Sequence, residues 1–297
     1  MAFVYQQIVA NKRKTIFLLF AFFSIVILIG FVFAQILENP AILIGAVLFS
    51  VILSVSSWWY SDKMILVFSK AQPIEKKDNP LLYNIVENLS IVAGLPTPKI
   101  YIIPEMAPNA FAAGRNPENS VICVTSGLLE KLNKSEIEGV LAHELSHIQN
   151  YDTRLMTIAT ILVGFVALVS DWFLRWGWFD SDSDKKEGNA ILFLIGIILA
   201  ILAPLFAQLL QLAVSRKREF LADASAALLT RYPQGLASAL RKIAADSTPL
   251  KVASPATAHL FIANPFKDKK KTNFLQKLFS THPPIEERIA ALEKMAL

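Results

Sequence analysis

Four stretches of the chain stay apolar for the thickness of a bilayer. Thr15 to Leu37 and Ala41 to Tyr60 carry no charge, Leu155 to about Phe173 is interrupted only by Asp171, and Ala190 to Ser215 is uncharged around Pro204. Runs of this length cross the roughly 30 Å hydrocarbon layer as helices. The pattern predicts transmembrane helices at 15–37, 41–60, 155–174 and 190–215. Glu38-Asn39-Pro40 is too short a link for anything but an antiparallel hairpin. Lys12-Arg13-Lys14 resembles the start of a signal peptide, yet the apolar run exceeds such a core and no small-x-small cleavage site follows, so span one reads as a retained anchor. All five tryptophans, Trp58, Trp59, Trp172, Trp176 and Trp178, fall at span ends, where amphipathic rings prefer the interface.

Between the spans the periodicity changes. Leu82, Ile85, Val86, Leu89 and Val92 recur at helical spacing over Asn79 to Ala93, and Gly94-Leu95-Pro96 stops that helix. Lys99 to Ile103, Ala110 to Gly114 and Ser120 to Thr125 read as short strands of a small sheet. Ser135 followed by Glu138 has the form of a capping box and starts a further helix.

Composition agrees with the spans. Of 297 residues, 54% are hydrophobic and only 18% charged, too apolar for an ordinary water-soluble domain. The single Cys123 cannot form an internal disulfide and reads as a small buried hydrophobe. Cations precede span one and follow spans two and four (Arg216-Lys217-Arg218), while the 175–189 loop carries Asp180, Asp182, Asp184 and Glu187. That asymmetry predicts cytoplasmic termini, with the segments 1–14, 61–154 and 216–297 inside and 175–189 outside. The net charge of +5 then faces anionic headgroups, which accounts for it without nucleic acid.

The chemistry sits in His143-Glu144-Leu145-Ser146-His147. A spacing of four puts both imidazoles on one helical face, where they supply two corners of a tetrahedral zinc site, and Glu144 is placed as general base toward bound water. A catalytic zinc needs a third protein ligand and one open position. Glu219 in Glu219-Phe220-Leu221-Ala222-Asp223 is the proposed ligand, reached because the hairpin of spans three and four returns the chain to the same side of the membrane. Asp223, one turn on, would receive a ring N–H from a ligand histidine and fix its tautomer. His259 and His282 are the other two histidines, and His259 reads as a packing residue.

These residues resemble the HtpX-like heat-shock membrane metalloproteases, relatives of the type I CAAX prenyl proteases. The resemblance spans most of the chain: the first hairpin, Asn109-Ala110-Phe111, the HELSH helix, the second hairpin, EFLAD and His282-Pro283-Pro284. It implies an integral membrane protein of mostly helical α+β class, with four transmembrane helices and a cytoplasmic zincin-like protease domain containing a small β-sheet. It also implies one zinc ion per chain on His143, His147 and Glu219, Glu144 as catalytic glutamate and Asp223 as orienting aspartate. His282 and Arg288 match a histidine and arginine that polarise the scissile carbonyl and stabilise its oxyanion. Asn109, Ala110 and Phe111 match an edge strand to which an extended substrate adds, although Ala113 departs slightly from the pattern.

The implied function is endoproteolysis of misfolded or damaged membrane proteins under stress, in the bacterial cytoplasmic membrane, alongside other membrane proteases. Two other readings stay open. A processing protease for lipid-modified peptides would have a larger membrane chamber than four spans provide. A non-enzymatic membrane protein with a structural metal would normally close its site with four protein ligands and has no use for Glu144.

Overall fold

The first hydrophobic hairpin forms as two helices, α1 (Ala2–Ile36) and α2 (Ala41–Phe68), in a computed structural model that describes residues 2–36, 38–179, 216–254, 257–265 and 283–295. Asn39 turns the chain, its Oδ1 accepting the Ala41 amide at 3.0 Å. Two segments, Ile8–Gln35 and Ala41–Phe68, are long and apolar enough to cross a membrane, and only 22% and 17% of their most apolar windows are buried. Ile16, Phe17, Phe20, Leu28, Leu48 and Ile52 all point outward, which water would penalise and lipid would not. Both helices extend beyond the predicted spans. The cations at Lys12 to Lys14 do not interrupt α1, and the predicted end of span two at Tyr60 is a kink (φ −121°, ψ 17°) rather than a stop.

The third apolar run lies in α6 (Asp152–Phe179). Leu155, Ile158, Ala159, Leu162, Val163 and Val166 pack against Leu18 and Phe22 of α1 and Leu53 of α2. The fourth run and the acidic 175–189 loop beyond Phe179 lie outside the described residues, as does His282.

The sheet has four strands, β1 (Gln72–Pro73), β2 (Lys99–Ile103), β3 (Ala110–Asn116) and β4 (Asn119–Thr125), in the order β1-β2-β4-β3. Only β2 and β4 run parallel. Val121-Ile122-Cys123-Val124 does not alternate because both faces of the sheet are covered. On one face Ile100, Ala110, Ala112, Ile122 and Val124 meet α3 (Pro80–Ala93), α5 (Lys134–Gln149), α7 (Arg216–Thr230) and α8 (Pro233–Ala245). On the other, Ile103, Phe111, Ala113, Val121 and Cys123 meet Ile65 and Leu66 of α2, Met156 and Ile161 of α6, and Leu260 and Phe261. The sheet therefore rests on the C-terminal end of α2 and the first turns of α6. Arg115 at the end of β3 adds a tie there, its guanidinium lying 4.4 Å over the Trp59 ring.

Helix α3 follows the prediction, with Asn79 as its cap and Gly94 in the left-handed conformation (φ 66°) ending it. The start of α5 does not. The capping residue is Asn133, whose side chain accepts the Glu136 amide while Glu136 reaches back to the Asn133 N–H. Ser135, the predicted cap, instead donates to Asn133 Oδ1 at 2.9 Å. Helix α5 is buried along nearly its whole length, and Gly139 lets α8 approach it. A β-carbon there would stand 2.7 Å from the Leu236 nitrogen. Short helix α4 (Ser126–Lys131) precedes α5, and α9 (Ile285–Glu293) closes the described chain.

Candidate metal centre

His143 and His147 lie one turn apart on α5, and Glu219 lies in the first turn of α7, which packs across α5. The two rings are nearly perpendicular (89°), and their Nε2 atoms are 3.1 Å apart. Glu219 completes the triangle, with Oε2 at 3.8 Å from His143 Nε2 and Oε1 at 3.5 Å from His147 Nε2. Nothing in sequence distance prepares this meeting. The turn of α5 brings the histidines together and α7 delivers the carboxylate.

The other ring nitrogens are committed. His143 Nδ1 lies 2.9 Å from Asp223 Oδ1, and His147 Nδ1 lies 3.0 Å from Asp152 Oδ2. Carboxylates only accept, so each Nδ1 carries a proton and donates it. In the neutral tautomers both Nε2 lone pairs then converge on each other and on the Glu219 carboxylate. Such a triad repels itself unless a cation lies between its members. Ligands about 2.0–2.1 Å from a tetrahedral ion stand roughly 3.3 Å apart, close to the observed spacing, so the donor set fits a divalent metal. His143, His147 and Glu219 are the only such group among the described residues.

Burial and charge divide the two histidines. Desolvation dominates at His143 and brings it down to about 4, against the opposing pull of Asp223, so its ring is neutral. Burial also pushes His147 down, but Asp152, Glu219 and Glu144 outweigh it and raise the ring to about 9. A metal held by the two Nε2 atoms would require His147 to give up any proton it carries there.

Asp223 is itself held. Arg288, fully buried on α9, donates from Nε to Asp223 Oδ2 (2.8 Å) and from Nη2 to Oδ1 (2.7 Å), and its Nη1 donates to the Ile262 carbonyl at 2.9 Å. Burial pushes the Asp223 carboxyl up, but Arg288 and His143 together hold it below the ordinary range. Arg288 Nη1 also stands 3.5 Å from Glu219 Oε2, so its charge lies within reach of the metal position.

Glu144 is buried on α5, which packs against β3. Burial raises it to about 7, with His147 pulling down and Glu219 pushing up. Asn109 precedes the edge strand β3, which Ala110 and Phe111 open, and part of its outward side is already engaged. Ala110 O accepts from the Ile262 N–H at 2.9 Å, and Gly114 N–H donates to Thr157 Oγ1 at 3.3 Å. Asn109 clamps the crossing segment, donating to Ala263 O at 3.1 Å, and Phe111 stacks edge-on against Phe261. His259 is a packing residue, with Nε2 2.9 Å from Thr160 Oγ1.

Asp152 escaped the sequence reading. An acid in the first turn of a helix suits the helix dipole wherever it occurs, so its position before an apolar run did not distinguish a ligand-orienting role.

Known proteins bear directly on this arrangement. The model of peptidase family M48 matches residues 76–296. A protease HtpX homolog of Dictyoglomus turgidum is 47% identical over 293 residues, covering 98% of this chain and 94% of its own, and one of Lactobacillus helveticus is 45% identical, covering 98% and 100%. The crystal structure of Ste24p from S. mikatae shares the fold, with a TM-score of 0.51 at 22% identity over 97% of this chain and 67% of that one. These matches run through both the apolar helices and the helices of the metal site: the chain belongs to peptidase family M48 and is a membrane metallopeptidase.

Proposed function

We propose that the chain is a zinc-dependent endopeptidase of the cytoplasmic membrane, with one zinc per chain on His143, His147 and Glu219, acting on misfolded or damaged membrane proteins from the cytoplasmic side. The observation that carries the reading is the convergence of two imidazole nitrogens and one carboxylate beside a second, unspent carboxylate. Three protein donors leave a position for water, which a structural zinc would close.

When bound, the metal supplies Lewis acidity that brings the pKa of water from about 15.7 toward 7 and polarises a carbonyl. The rest is done by this chain. Glu144, raised by burial to about 7, is matched to taking a proton from water at neutral pH and returning it to the leaving amine. Glu144 lies on α5, which packs against β3, the edge strand along which the substrate would lie. Asp223 and Asp152 hold the two imidazoles in the tautomer that presents Nε2 to the metal. Arg288 holds Asp223 and adds positive charge beside Glu219, where an oxyanion would gain from it. His282 is assigned to the same oxyanion by its resemblance alone. Asn109, Ala110 and Phe111 would receive an extended substrate once Ile262 releases Ala110 O, so backbone pairing rather than side chains would set selectivity.

The four-span topology, with the protease parts at 61–154 and 216–297 both on the cytoplasmic side and together forming one zincin-like domain, belongs to this proposal. So does cooperation with other membrane proteases. The charge asymmetry between the 175–189 loop and the flanking cations supports it. The outward apolar surface of α1 and α2, with the sheet packed on the end of α2, supports a cleft close to the lipid and membrane-protein substrates.

The test compares wild type with Glu144→Gln in detergent, measuring bound zinc and cleavage of an unfolded protein substrate. Retained zinc with hydrolysis reduced at least a hundredfold is expected, since general base catalysis contributes about 10²–10⁴. Equal hydrolysis by both forms removes Glu144 from the mechanism.

A further inference from the structure

Asp152 faces His147 on one side and the first apolar helix on the other. Its Oδ2 accepts the proton of His147 Nδ1, while Oδ1 accepts from Asn11 Nδ2 at 2.7 Å and, more loosely, from Arg218 Nη1 at 3.4 Å. Asn11 lies in α1 within Ile8–Gln35, the segment long and apolar enough to span a membrane. It is 1% exposed. Its amide uses both hydrogens, because Nδ2 also donates to the Asn150 carbonyl at 2.9 Å.

Those two acceptors bracket one turn. Asn150 caps the C-terminus of α5, the helix that carries both histidines, and Asp152 opens α6. Tyr151 between them takes a left-handed backbone (φ 59°), a conformation that a bulky residue adopts only when its surroundings hold it there. Asn11 supplies such a hold from outside. A buried amide costs free energy unless its hydrogens are bonded, and both donors of Asn11 are used on this turn.

We propose that Asn11 is a positioning residue of the metal site: by fixing Asp152 Oδ1 and the Asn150 carbonyl it sets the orientation of the His147 ring. The first apolar helix is then part of the metal site's support as well as an anchor. Undocking α1 from the α5–α6 turn frees the Asp152 carboxylate to rotate and loosens His147. This rests on the metal reading given above.

The test uses the full-length protein in detergent, with Co²⁺ and Zn²⁺ as probes and a competing chelator to rank affinity. Asn11→Leu removes both donors at similar volume, Asn11→Asp removes them at the same shape, and Phe20→Leu, exposed on the same helix, is the control. Both Asn11 variants are expected to bind metal about 10- to 100-fold more weakly, the cost typical of losing an outer partner of a ligand histidine, and to show an altered visible spectrum with Co²⁺. Phe20→Leu should match wild type in both. Asp152→Ala combined with Asn11→Leu should lose less than the two single losses together, because Asn11 acts in part through that carboxylate. Wild-type affinity and spectrum in both Asn11 variants, or losses that simply add in the double variant, overturn the proposal while leaving the metal reading intact. A wild-type protein that binds neither ion overturns both.

Discussion

Arg288 and Asp223 form a two-pronged ion pair in the interior, at 2.8 and 2.7 Å, and neither residue is exposed to solvent. The pair has a task beyond its own charge balance, since Asp223 Oδ1 also receives the proton of His143 Nδ1. The C-terminal helix α9 thereby reaches a metal ligand on α5 through one carboxylate.

Arg288→Ala strands the Asp223 charge in the interior. Breaking one side of a buried pair costs about 3–5 kcal/mol, so a large fall in the denaturation midpoint is expected together with weaker zinc retention. Arg288→Lys should recover little, because one ammonium cannot match the two carboxylate oxygens and also serve Ile262 O. Thermal unfolding of the three forms, each with its zinc content, checks this. A stable Arg288→Ala protein holding full zinc would contradict it.

Acid sensitivity should arise partly at Glu136. Burial pushes its carboxyl up, but hydrogen bonds from Lys242, Ser238 and the Asn133 N–H hold it below the ordinary carboxylate value. The folded form therefore releases its proton more readily than the unfolded one. The contribution is fully present above the unfolded value of about 4.3 and disappears as pH falls through the lower folded value. Glu136→Gln should flatten the stability curve over that acidic window and leave its shape near neutrality unchanged. Denaturant midpoints measured from pH 3 to 7 decide it, and parallel curves for the two forms would remove Glu136 as a contributor.

Gly139→Ala sets two effects against each other. Alanine favours an exposed helix by about 1 kcal/mol over glycine. Here the added β-carbon meets the Leu236 nitrogen at 2.7 Å and its α-carbon at 2.9 Å, backbone atoms that move only if α8 moves. Overpacking of this kind costs about 1–3 kcal/mol, so net destabilisation is expected, seen as a lower melting temperature. A stabilised variant would show that α5 and α8 are packed more loosely than the structure has them.

Much of this was legible because local spacing carries it. His143 and His147 share a face in any α-helix, and Glu219 and Asp223 do so on another, so only the meeting of the two helices had to be inferred. The cap of α5 was less legible. Asn133-x-x-Glu136 and Ser135-x-x-Glu138 are both plausible boxes, and the choice falls to Glu136 because Lys242 and Ser238 of α8 also bind it. The apolar helices run past the predicted spans for a related reason. A charge count stops at Lys14 and the span pattern at Tyr60, whereas backbone hydrogen bonding continues past both. Asp152 and Asn11 were invisible, since an acid opening a helix and an amide near the start of another have no periodicity that joins them. Their relation exists only once α1 lies against the α5–α6 turn.

The central claim is that His143, His147 and Glu219 share one divalent ion. Zinc-edge X-ray absorption of the purified protein, beside metal analysis of Glu219→Ala, tests it most directly. The account predicts one zinc per chain, with two imidazole nitrogens and a carboxylate oxygen at about 2.0–2.2 Å, and a marked loss of zinc in the variant. A sulfur-rich or four-imidazole shell, or undiminished zinc in Glu219→Ala, would contradict it.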